Sequence, residues 1–129
     1  MSNATASKRS KIDRIINVSC FRLGIEWKGK PKPGIRNNVE DSIDLRNGMK
    51  LSAQASAFHH CFPRSNDAPW TELECMVYGT NGAIEILEPY LDVAYEGDDA
   101  EGMGGPCRLY AYVPVDVVKR FIADCGGEA

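Results

Sequence analysis

The residues with the clearest chemical potential lie in one short segment, residues 58–64, which read FHHCFPR and hold both histidines of the chain. Imidazole nitrogens and thiolates are ligands that zinc prefers, and a thiolate beside an imidazole is an activated nucleophile. Two chemical hypotheses follow from these residue types. The segment is either a metal site or the centre of a small Cys/His-dependent enzyme that uses Cys61 with His59 or His60.

The spacing of these side chains argues against a metal site, which needs three or four ligands that converge on one point. If the segment is extended, His59 and His60 point to opposite faces, whereas His59 and Cys61 share one. In the strand register that we predict below, Cys75 pairs with Ala55 and so lies on the order of 20 Å from Cys61, at about 3.3 Å per residue. We therefore expect no metal and no cofactor.

The enzyme hypothesis rests on adjacency in sequence, and the partners in Cys/His pairs usually come from distant segments. The chain also lacks a Gly-x-Ser-x-Gly motif, a phosphate-binding glycine loop, a His-Glu-x-x-His motif and a dinucleotide fingerprint. We favour a non-enzymatic function and keep catalysis by Cys61, His59 and His60 as an alternative.

Length and composition indicate a single ordinary globular domain. The chain has 129 residues, 43% of them hydrophobic and 26% charged, which is enough to bury one core without a metal or disulfide. No stretch approaches the roughly 18 apolar residues of a membrane span, and the polar start lacks the apolar segment of a secretory signal. The five cysteines are scattered singly, which indicates reduced, mostly buried thiols. We expect a cytoplasmic protein with no membrane contact.

Charge is distributed unevenly along the chain. Residues 1–36 carry nine Lys or Arg and two acids, a net charge of about +7. Because the whole chain has a net charge of −3, the remaining residues carry about −10. A basic segment of this kind can bind nucleic acid. Because residues 28–34, KGKPKPG, have the composition of a loop and no interleaved aromatic residues, we rank nucleic-acid binding through residues 8–36 as a further alternative.

The order of elements begins with a mobile basic N-terminal arm, residues 1–12, followed by a single α+β domain over residues 13–127. From Arg14 the chain alternates, with Ile16, Val18 and Cys20 on one face. Phe21, Leu23, Ile25 and Trp27 then continue on the opposite parity. A slip of one residue in an extended run indicates a β-bulge, which we predict near residues 20–21.

A β-hairpin is predicted around Asn47-Gly48, which separates two alternating runs. A two-residue loop would place Leu45 opposite Lys50 and split the apolar face. A three-residue loop over residues 46–48, with Gly48 left-handed, instead pairs Leu45 with Met49 and Ile43 with Leu51. We therefore predict the three-residue loop.

Further strands are predicted over residues 49–60, 70–78 and 107–113. The first two pair through odd residues, Ala55 with Cys75 and His59 with Thr71. Residues 83–95 fit a strand or a helix start, and the acidic, glycine-rich residues within 91–106 indicate a mobile loop. A helix follows Pro114, with an apolar stripe that ends at Gly126-Gly127. The fold class is therefore α+β, an antiparallel sheet of four to six strands with one C-terminal helix packed on one face.

The even positions of these three strands form an unusual face, because five of twelve are aromatic. One interpretation is structural: the N-terminal strand over residues 21–27 covers this face as a second layer. The other is a docking surface that includes the 58–70 loop. The candidate binding residues are Phe58, His60, Arg64, Trp70, Glu72, Glu74, Tyr78, Arg108, Tyr110 and Tyr112.

Three stretches carry a resemblance to a known group of proteins. These are residues 59–64 (HHCFPR), residues 70–74 (WTELE) and residues 110–116 (YAYVPVD). Together they resemble small uncharacterised proteins encoded by bacteriophages. The resemblance implies a cytosolic accessory protein, and such proteins are often stoichiometric inhibitors of host or defence factors. It carries over no functional residue.

The sequence therefore predicts a non-enzymatic binding or inhibitory module that acts through the aromatic face and the 58–70 loop. The expected partner is another protein or a second copy of the chain, which would make a homo-oligomer, and a flat ligand stacked on the rings is the further option.

Overall fold

The computed structural model describes residues 10–20, 35–79, 82–96 and 105–129. Within these ranges the chain forms a five-stranded antiparallel sheet and two α-helices, the second of which is C-terminal. The strands are β1 (Ile43–Asp44), β2 (Lys50–Gln54), β3 (Glu72–Tyr78), β4 (Leu91–Tyr95) and β5 (Cys107–Pro114). Their order in the sheet is β1-β2-β3-β5-β4. The α+β prediction is therefore confirmed.

Helix α1 (Lys11–Asn17) replaces the start of the strand that we predicted from Arg14. Ser10 caps it, because its hydroxyl accepts a hydrogen bond from the Asp13 N–H at 3.1 Å. Ile12, Ile15 and Ile16 recur at helical spacing and are all buried. The strand prediction was wrong over these residues because the helical spacing and the cap outweighed the alternation.

The N-terminal prediction changes in a second respect, since Lys11 and Ile12, which we assigned to the arm, belong to α1. Residues 1–9 of that arm lie outside the described residues. So do residues 21–34, which include the bulge position at residue 21 and the strand over residues 21–27 that one interpretation laid across the even face.

The β1–β2 hairpin has the predicted loop and register. Ile43 pairs with Leu51, and the Leu45 N–H donates to the Met49 carbonyl at 2.9 Å. Gly48 has φ +95°, a left-handed conformation that glycine adopts at little cost. The three-residue loop is confirmed.

The β2–β3 register differs from the prediction by two residues, since Cys75 pairs with Ala53 instead of Ala55. Strand β2 ends at Gln54, so the predicted pair of His59 and Thr71 does not form. The Gln54 side-chain amide instead exchanges two hydrogen bonds with the Glu40 backbone, at 2.8 and 2.9 Å. Odd residues still face odd residues, so the same side chains enter the core.

A bulge in β5 changes the pattern of the third predicted strand. Leu73 pairs with Val113, but Cys75 pairs with Tyr110, so three steps on β5 oppose two on β3. Residues 111 and 112 of β5 therefore oppose the single residue Glu74 of β3, which is a β-bulge. Within it, Tyr112 has a φ of +54°. Before the bulge, the even positions of β5 therefore lie on the core face of the sheet.

Residues 83–95 form neither of the two elements that we weighed for the whole segment. Residues 85–87 are a turn, a 3-10 helix spans Glu88–Tyr90, and β4 (Leu91–Tyr95) follows it. Strand β4 occupies the last part of the segment for which we left strand or helix open, just before the acidic, glycine-rich residues 96–105 that we expected to be a loop. Its alternating Leu91, Val93 and Tyr95 were a strand signal that the surrounding acidic residues hid.

Helix α2 (Val115–Asp124) packs on the core face of the sheet, as predicted, and α1 contributes to the same core. The Gly126 and Gly127 amides close its end on the Ala123 and Ile122 carbonyls, at 3.0 and 2.9 Å. The helices and the three central strands contribute many of the core side chains: Ile15, Leu51, Leu73, Val77, Tyr110, Val113, Val118 and Phe121. None of the described helices is long and apolar enough to cross a membrane.

Candidate binding site at the aromatic loop

The loop between β2 and β3 begins with a tight turn built on Ser56. The Ser56 hydroxyl accepts a hydrogen bond from the Phe58 N–H at 3.0 Å and lies 2.7 Å from His59 Nδ1. Serine at such positions commonly bonds the backbone two residues later, which turns the chain. The turn ends the extended run and brings residues 58–62 back over the end of the sheet.

The far end of the loop is tied to the start of β3. The Phe62 N–H donates to the Glu72 carbonyl at 3.0 Å, and the Thr71 N–H donates to the Phe62 carbonyl at 2.8 Å. Two peptide bonds in the loop are cis, those before Pro63 and Pro69. The loop is therefore held at both ends by hydrogen bonds.

His60 is fixed between two strands of the sheet. Its ring stacks on Tyr112, with ring centroids 5.8 Å apart and planes 25° apart. Its Nδ1 lies 3.2 Å from a Glu74 carboxylate oxygen, which also accepts the His60 N–H at 3.3 Å. The His60 carbonyl in turn accepts the Tyr112 N–H at 3.0 Å. This arrangement joins the loop to β3 and β5.

Tyr112 has an unfavourable backbone conformation for its residue type. Its φ of +54° is the one positive value at a non-glycine position in the described residues. Such a conformation costs a bulky residue about 1–3 kcal/mol, and glycine or asparagine adopts it more easily. The chain nevertheless has an aromatic ring here, and the residue is 43% exposed.

Exposed aromatic side chains are concentrated at this site. In the part of the chain that the structure describes, five large hydrophobic residues are exposed, and three of them are Phe58, Phe62 and Tyr112, at 64%, 59% and 43%. We refer to Phe58, His60, Phe62 and Tyr112 as the aromatic patch. Exposed aromatic side chains on a loop that is held by backbone hydrogen bonds are typical of a contact surface for another molecule.

Charged residues from our candidate set lie on the same loop as the patch and on β3, with which the loop pairs. Arg64 is exposed on the loop, and Glu72 is half-buried where β3 begins. The Glu74 carboxylate lies within 3.2 Å of His60 Nδ1, as described above. Tyr78 is half-buried at the opposite end of β3, about 13 Å along the strand from Glu74 at about 3.3 Å per residue. Tyr78 therefore lies away from the patch.

Trp70 does not belong to the exposed surface that we predicted for it. It is almost completely buried, and the Arg36 guanidinium carbon lies 5.0 Å from its ring centroid. Its indole N–H donates to the Ser65 carbonyl at 3.1 Å, and its backbone N–H donates to Ile16 at 3.1 Å. The prediction failed because Trp70 precedes β3 and packs against α1, so strand alternation does not apply to it.

Tyr110 and Arg108 also lie away from the predicted face, because the β5 bulge reverses their orientation. Tyr110 is fully buried opposite Cys75, and burial raises the pKa of its hydroxyl to about 12. Arg108 lies opposite Val77 and forms ion pairs with Glu88 at 3.3 Å and Glu96 at 2.8 Å. The two residues stabilise the fold instead of lining the patch.

Cys61 has the surroundings of a structural thiol. It is 1% exposed, and its Sγ donates to the Ser56 carbonyl at 3.1 Å. Burial raises the pKa of the thiol, whereas a nucleophilic cysteine needs a lowered one. The two imidazoles have other partners, Ser56 for His59 and Glu74 for His60. The geometry therefore does not support the Cys61, His59 and His60 enzyme alternative.

Ser56 and His59 form a hydroxyl–imidazole pair that the sequence analysis missed. Burial lowers the pKa of His59, which favours its neutral form. The pair resembles a serine nucleophile with its base, but Ser56 is completely buried and its oxygen accepts the Phe58 N–H. The signal in the sequence was a serine three residues before a histidine, and it marks the turn.

Arg36 is a second residue that sequence reasoning did not single out. It is buried, and its guanidinium donates to the carbonyls of Asn37 at 2.8 Å, Ile15 at 3.0 Å and Ala55 at 2.8 Å. Of the basic segment that suggested nucleic-acid binding, Arg14 forms an ion pair with Glu40 at 3.3 Å. Most of that segment lies outside the described residues, and Arg36 is not exposed to a phosphate backbone.

Two cavities formed by described residues both lie away from the aromatic patch. A cavity of about 730 Å³ includes Met49, Ile84 and Phe121 in its lining, and a second of about 330 Å³ includes Lys11 and Glu40. Neither contains a residue of the aromatic patch. Within the described ranges, no three His, Cys, Asp or Glu side chains are grouped so that they could hold a metal ion.

Comparison with known proteins finds no family model, no curated protein and no solved structure that matches this chain. The functional argument therefore depends on the geometry of the aromatic patch and its surroundings.

Proposed function

We propose that this protein is a non-enzymatic binding module that docks a protein partner through the aromatic patch. The observation that carries the proposal is Tyr112, an exposed aromatic residue held at φ +54° and stacked on His60. A residue that were needed only to close the bulge would be glycine or asparagine, which fit this conformation at lower cost. An aromatic ring that occupies this strained position is best explained by what the ring contacts.

The shape of the patch favours a protein over a small molecule. Small ligands bind in concave sites that bury most of their surface. Three of the patch residues are 43–64% exposed and His60 is half-buried, and none of the four lines either cavity described above. Aromatic side chains surrounded by charged groups of both signs, here Arg64 and Glu72, are typical of the centre and rim of protein interfaces. A flat ligand stacked on the rings is the weaker form of the proposal.

The proposal extends to an inhibitory role in the cytoplasm. The resemblance to small phage-encoded accessory proteins supports a partner from a bacterial host or its defences. The five cysteines are all free and buried within the described ranges, which suits a reducing compartment. In this form, the module occupies the partner at a one-to-one ratio and blocks a surface that the partner needs.

Photo-crosslinking from the patch tests the proposal. A benzophenone amino acid replaces Phe58 in one variant and Phe62 in another, and the control variant carries it at Val39, which is 68% exposed and lies outside the patch. After irradiation in cells of the bacterial host, we expect one common protein adduct from positions 58 and 62 and none from position 39. Adducts of equal yield from all three positions would contradict a docking role for the patch.

A second variant tests whether formation of the crosslinked adduct depends on the apolar surface of the patch. With the crosslinker at position 58, Phe62→Ser removes apolar surface from the patch and is expected to lower the adduct yield at least about tenfold, as loss of a central interface aromatic does. Val39→Ser, its matched control, leaves the yield unchanged. An adduct that tolerates Phe62→Ser would show that the partner contacts residue 58 without using the patch.

A further inference from the structure

The larger of the two cavities, about 730 Å³, lies between the C-terminal half of α2, the β1–β2 hairpin loop and the segment 83–89. Backbone hydrogen bonds hold these walls. The Asn47 N–H in the hairpin loop donates to the Cys125 carbonyl at 3.1 Å, and the Leu87 N–H donates to the Ile84 carbonyl at 2.9 Å. The volume is within the range of small-molecule sites, about 300–1,000 Å³.

Apolar side chains form the inner part of this cavity. Phe121 belongs to the core and is 3% exposed, and Met49, Ile84 and Ile86 are partly buried and pack against the core. Small-molecule sites combine such a surface with a few polar groups that fix the orientation of the ligand. The apolar side chains of a ligand are therefore removed from water here, which favours binding.

Three charged side chains line the same cavity, those of Glu85, Arg120 and Asp124. None of them belongs to an ion pair between described residues. Arg120 and Asp124 lie on successive turns of α2, where residues four positions apart have Cβ atoms about 5–6 Å apart. The cavity therefore presents one cationic and two anionic groups that remain available to a ligand.

The two carboxylates lie where the charge of the helix is already negative. The backbone dipoles of a helix place partial negative charge at its C-terminus. Asp124 is the last residue of α2, and the last turn of the helix contains no basic residue that would offset this charge. Glu85 adds a second carboxylate from the segment 83–89. This end of the cavity favours a cationic group, whereas Arg120, one turn earlier, favours an anionic one.

We propose that this cavity binds a dipeptide with apolar side chains. The terminal ammonium of the dipeptide pairs with Asp124 and Glu85, and its carboxylate pairs with Arg120. Its side chains enter the cavity against Phe121 and Ile84. In an extended dipeptide the two charged ends are about 6 Å apart, which matches the spacing of Asp124 and Arg120 along the helix. The site shares no residue with the aromatic patch, so this binding function is additional to the one proposed above.

The termini of the ligand provide the first test. In titration calorimetry we expect L-leucyl-L-leucine and L-phenylalanyl-L-leucine to bind with a Kd of about 0.1–1 mM, as expected of ligands of this size. The N-acetyl and C-terminal amide forms of L-leucyl-L-leucine each lack one charge and are expected to bind at least about threefold more weakly. Free L-leucine is expected to bind more weakly than either dipeptide, because its two charged groups are too close together to reach both sides of the site.

Paired substitutions then assign each terminus to its partner. Arg120→Gln is expected to weaken the binding of L-leucyl-L-leucine at least about threefold but to leave the binding of its amide unchanged. Asp124→Asn is expected to weaken the parent dipeptide but not its N-acetyl form. The matched controls are Arg64→Gln on the β2–β3 loop and Asp92→Asn on β4, both at exposed positions outside the cavity, and both should bind every ligand as the wild type does.

A blocking variant locates the binding in the cavity. Ala83 is exposed and lines the cavity, so Ala83→Trp is expected to keep the stability of the wild type in urea denaturation and to weaken binding at least about tenfold. Phe62→Ser, in the aromatic patch, should bind the dipeptide normally. The proposal is overturned if neither dipeptide binds the wild type at about 5 mM, if the amide and N-acetyl forms bind as well as the parent, or if a stable Ala83→Trp variant still binds. None of these results bears on crosslinking from the patch.

Discussion

The molecule contains two stacked pairs of similar chemistry in very different surroundings. Arg36 lies over the ring of Trp70, and His60 stacks on Tyr112. Both pairs adjoin the β2–β3 loop, since Arg36 donates to the Ala55 carbonyl at the start of the loop and His60 is part of it. The first pair is buried and the second is partly exposed. The comparison shows that burial, and not the type of side chain, determines what each pair can do.

The buried pair of Arg36 and Trp70 stabilises the fold. Arg36 connects three segments through the carbonyls of Ile15 in α1, Asn37 and Ala55, and Trp70 packs against the same region. All of this surface is inside the protein, so neither side chain can meet a partner. The exposed pair also makes internal hydrogen bonds, but it leaves the Tyr112 ring available to another molecule.

The largest expected effect is on the buried pair. Arg36→Ala removes the guanidinium donor from three carbonyls, two of which keep only the weak thiol donor of Cys20, and it removes the contact with Trp70. We therefore expect the free energy of unfolding to fall by about 3–5 kcal/mol in urea denaturation. Arg64→Ala, at an exposed position on the loop, is the matched control and should change it by less than about 0.5 kcal/mol. Equal effects of the two substitutions would break the distinction between the two pairs.

The thiol of Cys61 provides the next test, because it lies on the buried side of the loop although its neighbour His60 is on the exposed side. Burial raises its pKa, and the thiolate is the reactive form. We expect Cys61 in the folded protein at pH 8 to react with a maleimide at least about tenfold more slowly than the same thiol in urea. Rapid labelling of Cys61 in the folded chain, located by peptide mass spectrometry, would restore the enzyme alternative.

His59 predicts a specific dependence of stability on pH. Burial lowers its pKa in the folded state below the unfolded value near 6.5, so the unfolded chain binds the proton more tightly. Stability is therefore complete above pH 6.5 and falls as the pH decreases through that value towards the folded pKa. Denaturation midpoints at pH 7.5 and 5.5 should converge in His59→Asn relative to wild type, and an unchanged difference between the two pH values would contradict the assignment.

Local signals were sufficient to predict much of the fold. Asn47-Gly48 and the parity of Leu45 and Met49 specified the hairpin loop, and the apolar stripe after Pro114 specified α2. These features depend on residues that are close in sequence, so turn chemistry and periodicity describe them well. Helix α1 had an equally local signal in Ser10 and the spacing of Ile12, Ile15 and Ile16, which the competing alternation obscured.

The composition of the candidate site was less predictable, because two long-range features determine it. The bulge at Tyr112 turns Tyr110 into the core, and a tyrosine gives no indication of a positive φ, whereas glycine or asparagine would have done so. Trp70 is buried by Arg36, a residue 34 positions earlier in the chain. Phe58, His60 and Tyr112 were predicted as binding residues, but the exposed Phe62 was not among them.

The residue on which the proposed function depends most is expected to contribute little to stability. Tyr112→Gly relieves the strain at φ +54° and loses the stacking on His60, and these changes nearly cancel, so the free energy of unfolding should stay within about 1 kcal/mol of wild type. The same variant removes one of the three exposed rings of the patch.

The most direct test therefore measures stability and partner crosslinking together in Tyr112→Gly, with the crosslinker at position 62. We predict an unfolding free energy within about 1 kcal/mol of wild type and an adduct yield at least about tenfold lower. A large loss of stability would show that the Tyr112 ring is needed for the fold. An unchanged adduct yield in a stable variant would contradict the claim that its ring is held exposed in order to bind a partner.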